Sequence, residues 1–327
     1  MTKFASITRC TVLKNLASGT AAALSTSPLA HAAAGDKEPP VWLDMNQKEL
    51  DNAYSQFIYA PNISQVIDRY ASNSALVRSR LGHPLRFAYG KEPVEALDVY
   101  PTTQPNAPVQ LFIHGGAWQQ GTAASYAFPA ELFVDAGIHY VVPDFSWIQD
   151  VGDSLYPIAD QLRRAIGWVY RNAEKFGGNA DQLYLSGHSS GGHLAGVMLT
   201  TDWRQEAGLP ADIIKGGLCC SGMFDLKPVR LSSRGEYVKF TDEMENAFSP
   251  IRHLDQLHAP LIVAYGSDET PEFKRQSRNF ARAVQEAGKD IQLIVAENYN
   301  HFEIIETLAN PHGILGRAVL QQVQNRR

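Results

Sequence analysis

Beyond residue 82 the chain alternates short apolar runs with longer amphipathic stretches. The runs are Val109–Ile113, Tyr140–Val142, Leu183–Leu185, Gly217–Cys220, Leu261–Tyr265 and Ile291–Val295. Several are almost continuous in Val, Ile and Leu, as strands covered on both faces are. Between Leu155 and Lys175, the residues Ile158, Leu162, Ile166, Val169 and Ala173 recur at helical spacing, and Gly177-Gly178 supplies a stop. A second helix is predicted from Pro271 to Ala287, with Thr270 as its cap, Pro271 at its first position and Gly288 just past its end. Residues 41–82 read as polar helices broken at Pro61, a small N-terminal helical cap. Strands alternating with helices predict the α/β class, with a mostly parallel, doubly wound sheet carrying helices on both faces. Ligands of such sheets bind where strands end and loops begin.

The chemistry-bearing motifs fall at those edges. Leu183-Tyr184-Leu185 leads into Gly187-His188-Ser189-Ser190-Gly191, a G-x-S-x-G between a strand and a small-residue helix. The pentapeptide alone is a weak signal. In a strand–turn–helix context it is a nucleophile elbow, in which a sharp turn exposes the serine and the flanking glycines pass too close for side chains. Ser189 is therefore the candidate nucleophile. His188 and His193 flank it, but a base must approach the serine oxygen from a separate loop, so packing or supporting hydrogen bonds suit them better. Upstream, Val109–Ile113 runs into His114-Gly115-Gly116-Ala117-Trp118. Glycines there let backbone N–H groups converge on a small anion. Gly116 and Ala117, or Gly115, together with Ser190 are the candidate oxyanion donors, with His114 fixing the loop. Trp118 is a candidate substrate contact, and Trp118, Trp147 and Phe224 are candidates to line an acyl or aryl pocket.

A serine nucleophile needs a base, and the base needs a carboxylate to fix its tautomer. In the α/β-hydrolase fold these follow in the order Ser, acid, His. Beyond His193 the chain has His253, His258, His301 and His312. His301 follows the last apolar run, where the base belongs. His253 and His258 precede a strand, and His312 lies in a late helical region. The acid belongs after Leu261–Tyr265, where Asp268 and Glu269 are adjacent and the residue types do not choose between them.

These motifs resemble one family. His114–Trp118, Gly187–Ala195, Gly266–Phe273 (a G-x-x-[DE]-[ST]-P-E-F pattern), His301–Glu303 and Ser221–Leu226 look like the kynurenine formamidase (arylformamidase) branch of the α/β-hydrolases, over about residues 45–310. The resemblance implies a serine hydrolase of small carboxylic esters or aryl and formyl amides, working through an acyl-enzyme with no metal and no organic cofactor. In the family pattern the acid is the fourth residue from the glycine, which selects Glu269 over Asp268. Two other readings remain: a strict N-formylkynurenine-type amidase, and a hydrolase-fold protein that binds a small ligand without catalysis.

Composition narrows the partners. A 327-residue chain that is 44% hydrophobic can bury a large core, and residues 33–327 are expected to form one domain. The formal net charge is −5 with scattered basic residues, so a small molecule rather than nucleic acid is the expected partner. The three cysteines include neighbours Cys219 and Cys220, expected as buried thiols. Lys3, Arg9 and Lys14 precede an uncharged stretch from Asn15 to Gly35 that contains Ala30-His31-Ala32. This reads as a weak signal peptide over residues 1–32, giving a periplasmic or secreted enzyme, with a cytoplasmic one as the alternative. The stretch is too rich in Ser, Thr and Gly for a membrane span. Oligomeric state is not set by these features.

Overall fold

The computed structural model describes residues 38–325, and the leader expected over residues 1–32 lies outside them. Eight strands form one sheet: β1 (Leu85–Ala88), β2 (Ala96–Tyr100), β3 (Ala107–Ile113), β4 (His139–Pro143), β5 (Gly178–His188), β6 (Ile214–Cys220), β7 (Leu261–Gly266) and β8 (Ile291–Ala296). Their order is β1-β2-β4-β3-β5-β6-β7-β8. The pairs β1/β2 and β2/β4 are antiparallel, and every other pair is parallel. The helices are α1 (Gln47–Ala53), α2 (Ile63–Leu81), α3 (Ala130–Asp135), α4 (Leu155–Asn172), α5 (Ser190–Leu199), α6 (Trp203–Ala207), α7 (Leu226–Leu231), α8 (Asp242–Ala247), α9 (Pro271–Glu286) and α10 (Ile314–Gln324).

All six apolar runs are strands of the sheet, and the missed strands are the antiparallel β1 and β2. The first is an exposed edge, and the second carries Asp98, buried but paired with Arg86 of β1 at 2.6 Å. A charge in mid-run hides the strand from an apolar pattern. Successive residues of the central strands face opposite cores. Val109, Leu111 and Ile113 join α4, α5 and α9 on one face, whereas Phe112, Tyr140 and Val142 join α2, α3 and α10 on the other. Cys219 and Cys220 divide between the two faces as free, buried thiols.

The caps sit where their residue types require. Gly177 takes a left-handed φ of 84° after the turn that extends α4. The Thr270 hydroxyl accepts the N–H of Phe273, and Gly288 is left-handed just past α9. The helical reading of 41–82 holds for α1 and α2. Through Val66, Tyr70 and Val77, α2 joins the second core, while the stretch Tyr54–Gln56 between them reaches the candidate site. Among the described residues no helix is long and apolar enough to cross a membrane.

Candidate active site

Strand β5 delivers Ser189 at its carboxyl end, and α5 begins at the next residue. Ser189 holds φ 58° and ψ −126°, a left-handed conformation that costs a non-glycine residue on the order of 1–3 kcal/mol. The surroundings impose it. A Cβ at Gly187 would collide with the Gly191 carbonyl, and one at Gly191 with the carbonyls of Ile113 and His114. The Ser189 N–H donates to the Cys220 carbonyl of β6 at 2.9 Å, which fixes the turn to the neighbouring strand.

His301 lies on the loop after β8 and Glu269 on the loop after β7, and the sheet order brings both loops to Ser189. His301 Nε2 is 2.8 Å from Ser189 Oγ, and His301 Nδ1 is 2.8 Å from Glu269 Oε2. A carboxylate only accepts, so Nδ1 carries the proton and the Nε2 lone pair faces the serine hydroxyl. Glu269 is fully buried. Its Oε1 accepts the Ser221 hydroxyl at 2.6 Å and the Gly266 N–H at 2.8 Å, and its Oε2 also accepts Gln56 Nε2 at 3.3 Å. With His301 that makes four donors, which supply what a buried charge loses on leaving water. Asp268, the alternative acid, points elsewhere: it is exposed and accepts the Ser267 hydroxyl at 3.0 Å.

The loop after β3 lies against the elbow. A side chain at Gly115 would meet the Ser189 Cβ at 3.1 Å. Gly116, Ala117 and Trp118 all have positive φ, at 121°, 56° and 62°. The N–H groups of Gly115, Gly116, Ala117 and Ser190 have no acceptor among the described residues. The Trp118 N–H is taken by Ser190 Oγ at 3.2 Å, and its ring is buried edge-on to His193. Phe224 is buried and stacks on Phe280 at 4.2 Å. Trp147 is partly exposed and donates to the Gly121 carbonyl at 3.0 Å.

The flanking histidines are supports. His188 Nε2 donates to the His301 carbonyl at 2.8 Å, and burial, then the neighbouring His301, holds its pKa well below 6.5. His193 Nε2 donates to the Phe248 carbonyl at 2.8 Å, and burial pushes its pKa down to about 4. His114 stacks on Phe145 at 4.3 Å, with Nδ1 2.9 Å from the Gly115 carbonyl. Ser221, Gln56 and Tyr54 were not singled out from the sequence. Tyr54 donates to Glu272 at 3.1 Å, accepts from Gln276 at 2.7 Å and packs against Phe273, whose ring stands 4.9 Å from His301. Among the described residues no group of three or more His, Cys, Asp or Glu side chains is placed to hold a metal.

Known proteins share this architecture. The BD-FAE family matches residues 97–215. The kynurenine formamidase of Danio rerio is 32% identical over 295 residues, covering 86% of this chain and 98% of its own. The chain belongs to the kynurenine formamidase family. Esterase LipC of Mycobacterium tuberculosis is 28% identical over 64% of this chain and 57% of its own. A crystal structure from Silicibacter sp. tm1040 superposes with a TM-score of 0.73 at 24% identity, covering 84% of this chain and 99% of that one. The fold is that of the α/β-hydrolases, and this family member is a hydrolase acting on ester or formamide bonds.

Proposed function

We propose that Ser189 is the nucleophile, His301 the general base and then acid, and Glu269 the carboxylate that orients His301. The observation that carries this reading is the unbroken line from Ser189 Oγ through His301 to Glu269, with both links at 2.8 Å. His301 takes the hydroxyl proton as Ser189 attacks the carbonyl carbon. The oxyanion sits against the N–H groups of Ser190 and of the 115–117 turn, and each such donor is worth roughly 3–4 kcal/mol of barrier. His301 then gives its proton to the departing alcohol or amine. A water, deprotonated by His301, cleaves the acyl-enzyme and frees Ser189.

The deciding experiment is Ser189→Ala with p-nitrophenyl acetate. Turnover should fall roughly 10⁴-fold or more. Undiminished hydrolysis would exclude the mechanism, and absence of turnover in the unaltered protein would favour the non-catalytic binding reading. Comparing kcat/KM for short p-nitrophenyl esters and N-formyl aryl amides separates a general esterase from a strict formamidase. Export is proposed from the sequence alone. N-terminal sequencing of the mature protein should find it starting at about Ala33.

A further inference from the structure

We propose that Arg234 anchors a carboxylate of the substrate, so that the hydrolase prefers esters or formamides bearing that charge a few bonds from the scissile carbonyl. This rests on Ser189 and His301 being the reacting groups.

Arg234 lies in the short turn after α7. Its guanidinium carbon is 5.9 Å from the centroid of the Trp118 ring and 5.9 Å from that of Phe273. Trp118 follows the turn that faces Ser189, and Phe273 stands edge-on to His301. The cation thus lies over the ring of the residue that ends the turn facing Ser189 and over the ring that stands edge-on to His301. Nearby arginines have acidic partners. Arg230 pairs with Asp242 and Glu245, Arg252 with Asp225 and Glu245, and Arg275 with Glu272. Arg234 forms no ion pair among the described residues. Its Nη1 donates to the Tyr237 hydroxyl at 2.8 Å and its Nη2 to the Tyr54 carbonyl at 3.2 Å, both neutral acceptors. Its Nε is buried with no partner.

A guanidinium has five N–H donors in a rigid fork that matches a carboxylate edge. Two neutral acceptors leave most of that fork unused, and leaving a charged donor unmatched beside buried rings is unfavourable. The aromatic faces offset only part of the loss. A carboxylate arriving with the substrate would complete the set, and the existing bonds to Tyr54 and Tyr237 hold the fork ready for it. A purely structural Arg234, tying the N-terminal stretch to the 233–236 turn, would affect charged and neutral substrates alike.

The test uses two matched pairs. Phenyl acetate against 4-acetoxybenzoate places the charge on the leaving group. The p-nitrophenyl ester of butyric acid against the p-nitrophenyl monoester of succinic acid places it on the acyl group. Within each pair the ratio of kcat/KM is compared between the unaltered protein and its variants, which cancels intrinsic reactivity. Arg234→Met should lower the charged-to-neutral ratio in one pair by on the order of 10–100-fold. Arg234→Lys should restore part of it, and salt should reduce the unaltered ratio. The pair that responds tells which side of the substrate carries the anchor. Ratios that Arg234→Met leaves unchanged in both pairs overturn the proposal, including the case of a poorly folded variant losing both activities together. Persistent turnover in Ser189→Ala would instead remove the underlying mechanism.

Discussion

Two adjacent carboxylates, Asp268 and Glu269, have opposite surroundings. The first is in solvent, and the second is enclosed by Ser221, Gly266, Gln56 and His301. Glu269→Gln keeps the shape but can present an amide donor where His301 needs an acceptor. It should lower kcat by roughly 10³–10⁴-fold, whereas Asp268→Asn should stay within about twofold, read by steady-state kinetics on a short ester. The reverse pattern would transfer the orienting role to Asp268. Ser221→Ala removes one of four donors to Glu269 and should cost about tenfold, mainly in kcat, because Ser221 acts through its bond to Glu269.

At the scale of elements, the site depends on how closely β3, the elbow and α5 meet. Gly191 lies where α5 passes under the end of β3, and a Cβ there would strike the carbonyls of Ile113 and His114. These are backbone atoms with no side chain to swing away. Gly191→Ala should therefore destabilise the fold by about 2–3 kcal/mol and displace the oxyanion turn, seen as a lower denaturant midpoint and a loss of kcat. Gly152→Ala is the control: it is left-handed, unlike Gly191, but its Cβ would meet nothing within 4 Å, so its cost should be limited to backbone strain of about 1 kcal/mol.

Across the whole molecule, several histidines are buried as neutral rings. Burial pulls His193 to about 4, His188 well below 6.5, and His114 and His139 downward. A histidine with a depressed folded pKa binds its proton more readily in the unfolded chain. The neutral ring's contribution is thus fully present above about 6.5 and lost as pH falls towards the folded value. For His193 alone the stake is about 3 kcal/mol. The unfolding free energy should fall steeply between pH 6.5 and pH 4, measured by denaturant titration. A flat profile over that window would contradict the buried-neutral assignment.

The order of the parts was legible from the sequence alone. Apolar runs mark β3 to β7 because those strands are largely buried on both faces, and β8 because its edge position still leaves an apolar run with Leu293 and Val295 exposed. Gly187 and Gly191 mark the elbow because a side chain there would strike backbone. His301 follows from chain order, and Glu269 from resemblance to a family pattern. The strands β1 and β2 escaped because Asp98 and Arg86 satisfy each other only when paired across the sheet. Gln56 and Glu269 are 213 positions apart, and no local pattern joins them. The contrast between the exposed Asp268 and the enclosed Glu269, the burial of Trp118, the Tyr54–Gln56 stretch beside Glu269 and an arginine without an acidic partner among the described residues are decided by tertiary structure. Periodicity and motif spacing report what a residue needs from its neighbours along the chain. What encloses a charge, or leaves one unmatched, depends on which distant segments the sheet brings together.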